Sequence, residues 1–165
     1  MLVFVATTHA AEHVATKLQG VGINAIALHG KLSQGARTRA LDMFRASSVH
    51  VLVATDLASR GLDITGLPAV VNYDLPRSPT DYVHRIGRTG RAGETGVAVS
   101  FITAESAAHF QLIEKSHKHY VVRERIAGFE PTQAPVAPPA TGGVKGARKS
   151  KKDKLREAAL KPTEG

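Results

Sequence analysis

His84, Arg85, Arg88 and Arg91 fall within one eight-residue run, His84-Arg85-Ile86-Gly87-Arg88-Thr89-Gly90-Arg91. Arg88 and Arg91 are three positions apart, so a tight turn at the glycines could aim both at one anion. A guanidinium keeps its charge at any physiological pH and forks onto phosphate oxygens. Such a pair suits phosphoryl transfer in which positive charge arrives from outside the nucleotide-binding loop. A second segment is Ala54-Thr55-Asp56-Leu57-Ala58-Ser59-Arg60-Gly61-Leu62-Asp63. Here Thr55 offers a hydroxyl to a phosphate, and Asp63 offers a carboxylate to a sugar hydroxyl. Gly61 allows close backbone approach. Taken singly, each segment also reads as a basic surface loop or as ordinary turn chemistry.

The surrounding chain supplies elements that would hold these segments on one edge. Apolar runs at 2–6, 25–28, 49–54, 69–73 and 95–102 predict five strands. Between them lie helical patterns. One runs over 9–19 with Thr8 as cap, one from Ser33 to about residue 45, and one opens at Ser78-Pro79-Thr80-Asp81 with proline in the first turn. A last helix is expected from Thr103 to about residue 117. Continuous Val/Ile/Leu strands alternating with helices imply an α/β fold, a parallel sheet with helices on both faces. In such sheets ligands sit at the carboxyl ends of the strands. His29-Gly30, Thr55-Asp56 and Asp74 each follow a strand, so the chemistry is expected along that edge.

The chain has 165 residues, 42% of them hydrophobic, enough for one domain with a real core. It contains no cysteine, which excludes disulfide partners and thiolate metal sites. No apolar run approaches the roughly 18 residues of a membrane span, and the apolar start lacks the basic region of a signal peptide. A cytoplasmic location and no membrane partner are therefore expected. The formal net charge is +8, which favours polyanionic partners. That charge is concentrated: residues 145–165 hold eight Lys/Arg against three Asp/Glu. Three regions are expected: a domain over 1–125, a Pro/Ala/Gly-rich linker over 126–144, and a Lys-rich disordered tail over 145–165.

In this setting the two segments resemble motifs V and VI of the DEAD-box RNA helicases, as A-T-D-x-x-x-R-G-x-D and H-R-I-G-R-T-G-R. Residues 2–7 are similar to motif IV. Residues 28–37, with Gln34 and Arg37 as a Q-x-x-R element, resemble motif IVa. Residues 71–76 are similar to the family's D-x-P strand segment. The motifs run in family order over about 2–125, and residues 33–41 and 126–131 most resemble the RhlE-type bacterial subgroup.

The resemblance implies a three-layer RecA-like domain, the second of the two in such a helicase. It implies that Arg88 and Arg91 meet the ATP γ-phosphate and that His84 joins the network behind it. Asp63 would bond the ribose beside Gly61. Thr7, Gly30, Gln34, Arg37 and Thr55 would hold single-stranded RNA by its sugar-phosphate backbone. Arg85 would support the motif's own geometry. Neither G-x-x-x-x-G-K-[ST] nor Asp-Glu-Ala-Asp occurs, so the N-terminal RecA-like domain is expected to be missing. Mg2+ would be held mainly by that partner domain, and the chain alone is expected to be inactive as an ATPase. The Gly143-to-Ser150 stretch has arginine where a phosphate loop needs its second glycine, and no strand precedes it. His109, His117 and His119 lack carboxylate or thiol company, and Ser100 and Ser106 lack a nucleophile's context. A non-catalytic RNA-binding fragment gripping through its tail is the competing reading. A RecQ-like DNA helicase half is disfavoured by the first histidine of the arginine-rich motif and by the Q-x-x-R element.

Overall fold

Five short parallel strands lie in the order β2-β3-β1-β4-β5. They are β1 (Leu2–Val5), β2 (Ala25–Leu28), β3 (Val51–Thr55), β4 (Ala69–Asn72) and β5 (Val97–Ser100). The helices are α1 (Thr8–Gly20), α2 (Gln34–Arg45), the single turn α3 (Asp56–Ser59), α4 (Pro79–Ile86) and α5 (Ala107–His117). This computed structural model describes residues 1–59, 61–62, 64–90 and 95–129. Asp63, Arg91, the linker beyond residue 129 and the Lys-rich tail lie outside the described residues.

The pleat explains the layers. In β1, Leu2 and Phe4 point to one face and Val3 and Val5 to the other. Leu2 and Phe4 join Leu28, Leu52 and Val70 against Ala40 of α2 and Ala58 of α3. Val3 and Val5 join Val51 and Val53 against Ala11, Val14 and Ala15 of α1. Helices therefore cover both faces, and the sheet between them is mostly apolar, with Thr55 and Asn72 as buried polar residues at its carboxyl edge. Each fully buried side chain of the size of Leu2 or Leu52 contributes about 1.5–3 kcal/mol. A third cluster, Tyr82, Phe110 and Ile113, packs α4 onto α5.

Several boundaries differ from the sequence reading, each for a local reason. Thr7, not Thr8, caps α1, its hydroxyl accepting the Ala10 N–H at 3.0 Å. The third strand starts at Val51 because Ser47, at φ 57°, ends the α2 turn and the Val49 N–H still bonds Met43 O. It then runs on to Thr55. The last helix starts after Ser106; Thr103 closes the preceding turn, its Oγ1 accepting the Ser106 N–H at 3.2 Å. The fifth strand is four residues long and mostly exposed, Val97 at 58%. It is one of the two outer strands, and α1 packs toward the other one, on β1, β2 and β3.

Candidate functional site

The order β2-β3-β1-β4 sets the loops after those strands side by side. Gly30 follows β2, Thr55 closes β3, Thr7 follows β1 and Asp74 follows β4. Neighbouring strands are about 4.8 Å apart, so the loops that carry Gly30 and Thr7 lie on either side of the end of β3 at Thr55. Asp74 Oδ2 accepts the Ala6 N–H at 2.7 Å and ties the first loop to the fourth. Gly30 is exposed, as is Gln34 in the first turn of α2. Ser33 caps that helix by accepting the Ala36 N–H, and Arg37, one turn along, donates to Ala58 O at 3.4 Å. Thr55 is more enclosed: it is the last residue of β3, at the carboxyl edge of the sheet, and 8% exposed.

The arginine-rich motif forms the end of α4 and the turn after it. Ser78 caps α4 by accepting the Asp81 N–H at 3.1 Å, and Gly87 closes the helix. Arg85 points into the fold and is 3% exposed. Its Nε and Nη2 donate to Asp56 Oδ1 and Oδ2, both at 2.7 Å. Its Nη1 donates to Asn72 Oδ1 at 2.9 Å and to Asp74 O at 2.7 Å. The guanidinium also stacks over the Phe4 ring, 4.8 Å from its centroid. Asn72 is fully buried and donates onward to Ser100 Oγ at 3.1 Å. One side chain thus joins the ends of β1, β3 and β4.

Arg88, three residues on, emerges from that anchor. Its Nη1 donates to Leu62 O at 3.0 Å and approaches Ile64 O at 3.5 Å, the sequence neighbours of Asp63. His84 is exposed on the last turn of α4. A cleft between α3 and α4 is lined by Phe4, Asp56, Ser59, Asp81, His84, Arg85 and Arg88. His84 and Arg88 therefore face one opening, with the Asp56 charge already matched by Arg85. That donor set fits the oxyanions of a triphosphate. Among the described residues no group of three His, Cys, Asp or Glu could hold a metal ion. His109 and His117 instead bond the carbonyls of Pro76 and Pro79.

The turn beyond Arg88 is held from two sides. Thr89 Oγ1 donates to Leu67 O, and the Leu67 N–H donates to Arg88 O at 3.0 Å. Gly90 has φ +63°, a conformation that favours glycine. Any side chain at Gly96 would run into Thr89 Oγ1 and the Gly90 N–H. Gly61, at φ +74°, makes the corresponding bend near Arg88. Asp56, Asn72, Asp74 and Gly96 were not singled out as site residues by spacing. Asp56, Asn72 and Asp74 stand inside recognised segments and Gly96 outside them, but nothing in sequence links Asp56 to a partner twenty-nine residues away.

Residues 1–93 match the helicase conserved C-terminal domain family. An ATP-dependent rRNA helicase rrp3 of Sclerotinia sclerotiorum is 42% identical over 135 residues, covering 79% of this chain and 28% of the relative. The chain thus spans under a third of that relative's length. Among solved structures, the E. coli DEAD-box protein SrmB bound to regulator of ribonuclease activity A superposes with a TM-score of 0.76 at 37% identity. That match covers 82% of this chain and 81% of that one. A Saccharomyces cerevisiae Dbp5 variant bound to RNA and ADP BeF3 gives a TM-score of 0.64 at 40% identity, over 69% of this chain and 31% of that one.

Proposed function

Because this chain belongs to the DEAD-box helicases as their conserved C-terminal domain, we propose that it is the second RecA-like lobe of an ATP-dependent RNA helicase. ATP bound by an N-terminal RecA-like lobe, with Mg2+ held mainly there, supplies the phosphoryl group. This chain supplies cations to the far side of that group. Arg88 and Arg91 act as arginine fingers on the γ-phosphate, and His84 joins the network behind it. Asp63 bonds the ribose where Gly61 lets the backbone come close. Fingers of this kind are worth roughly 10³–10⁵ in kcat, or about 4–7 kcal/mol of barrier.

Thr7, Gly30, Gln34, Arg37 and the end of β3 at Thr55 hold single-stranded RNA through its sugar-phosphate backbone. Contacts of this class position RNA without reading its sequence. Closing the two lobes on ATP would bend one strand and open a short duplex locally. A cytoplasmic location and membership of the RhlE-type bacterial subgroup remain part of the same reading; rrp3, quoted above, is fungal.

The observation that carries the proposal is the convergence of His84 and Arg88 on one cleft at the carboxyl rim, with Arg85 buried behind them. Phosphate release from ATP tests it in two arms. The 165 residues alone, with RNA, should release none above buffer. Fused behind the N-terminal lobe of a DEAD-box relative, they should restore RNA-stimulated turnover, and Arg88→Ala should cut it at least a hundredfold. Turnover by the chain alone, or a fusion indifferent to Arg88→Ala, would overturn the assignment.

A further inference from the structure

His29 directly follows β2 and precedes Gly30, yet its side chain is 5% exposed. Two groups fix the imidazole. Nε2 lies 2.6 Å from Glu12 Oε1, and Nδ1 accepts the Lys31 N–H at 3.3 Å. An acceptor Nδ1 carries no proton, so the proton sits on Nε2 and is donated to the Glu12 carboxylate. The Leu32 N–H closes the same turn onto His29 O at 3.2 Å. Ser33 then caps α2, which starts at Gln34 and carries Arg37 one turn later. The imidazole is thus the keystone of the segment that sets where Gly30, Gln34 and Arg37 point. Glu12 reaches it from α1, with its own side chain 58% exposed.

We infer that Glu12 and His29 are positioning residues for RNA: the carboxylate holds the imidazole in the tautomer that shapes the β2–α2 loop for the phosphate backbone. The inference rests on the reading of that loop as an RNA grip. Neither residue need touch RNA. Without the carboxylate, Nε2–H is left without its partner in a nearly closed site, and the ring is freed to move its proton to Nδ1. In that tautomer Nδ1 cannot accept from the Lys31 amide, and the loop loses its side-chain tie.

Charge alone predicts the opposite sign, which makes the test sharp. Removing a carboxylate from a surface that binds a polyanion should tighten binding. The proposal instead separates two variants with the same charge change. Glu12→Gln keeps an oxygen acceptor for Nε2–H, and Glu12→Ala removes it. The affinity of the full chain for a fluorescein-labelled single-stranded RNA, measured by anisotropy at fixed salt, should be unchanged or tighter for Glu12→Gln. For Glu12→Ala it should fall by about threefold to tenfold, the scale of one or two lost hydrogen bonds.

Long-range 1H–15N spectra of the imidazole should show the Nε2–H form in the wild type and in Glu12→Gln, and a shift toward Nδ1–H in Glu12→Ala. Equal affinities for the two variants, or an unmoved tautomer, would overturn the inference. The double variant Gln34→Ala, Arg37→Ala separates it from the reading beneath it. If that variant weakens RNA binding and Glu12→Ala does not, positioning alone is wrong. If the double variant binds like wild type, the loop is no RNA grip and both fall.

Discussion

Replacing Arg85 with alanine removes four hydrogen bonds to three partners and the cation stacked on Phe4. The partners differ in what they suffer. Asp56 has a side chain 36% exposed, so water can take over part of its charge. The Asn72 amide is fully buried, so its Oδ1 is left with no solvent substitute. Breaking a fully buried ion pair costs about 3–5 kcal/mol, and an orphaned buried acceptor costs about 1–3 kcal/mol. Discounting the Asp56 share for its exposure leaves about 3–4 kcal/mol for Arg85→Ala. Arg85→Lys keeps the charge but not the fork, and should lose about 2 kcal/mol. Asp56→Asn keeps one acceptor oxygen and should lose less than Arg85→Ala. Urea denaturation of the three variants and of the Arg85→Ala, Asp56→Asn double mutant closes a cycle, in which a coupling of about 1–3 kcal/mol is expected. A loss below about 1 kcal/mol for Arg85→Ala, at unchanged denaturant slope, would refute the account of Arg85 as the tie among three strand ends.

Gly96→Ala should displace the Thr89–Gly90 turn, because the added methyl meets backbone as well as side chain; a crystal structure of the variant with Arg88 unmoved would contradict this. Burial alone would raise the Glu114 carboxyl, but the Val121 N–H, the Arg123 guanidinium and His119 outweigh it and hold it below the ordinary 4.5. A depressed carboxylate stabilises fully above its unfolded value and loses that effect as pH falls through the folded one. The stability gap between wild type and Glu114→Gln should therefore be constant near neutrality and shrink below about pH 4.5, as followed by thermal melts. Deleting 145–165 removes a net +5, so the slope of log K against log salt for RNA should flatten by several units; an unchanged slope would rule the tail out as a contact.

The layers and the edge carrying the site were legible in the sequence because apolar runs and caps are local signals. Leu2–Val5 reads as a strand from four residues, and Ser33 and Ser78 announce their helices within three positions. What escaped was relational. Asp56 and Arg85 are each visible, but only the register of β1 between β3 and β4 brings α3 beneath the end of α4. The fifth strand misled in the other direction. Its valines predict burial, and their run says nothing about whether a helix reaches that far across the sheet. Thr55 reads as a loop residue when β3 is ended one residue early, whereas it is the last residue of the strand and mostly enclosed there. The Glu12–His29 pair left no trace in spacing, since α1 and β2 meet through a turn whose angle no local pattern encodes.

The brevity of β5 has a consequence for the chain's behaviour in company. A sheet's border is a template on which foreign strands can assemble, and valine-rich borders are the most inviting. Here the border offers only four rungs. A bystander docking there would gain too little hydrogen bonding to offset its own ordering. Lengthening this strand by a few β-branched residues should therefore convert a quiet margin into a nucleus for aggregation.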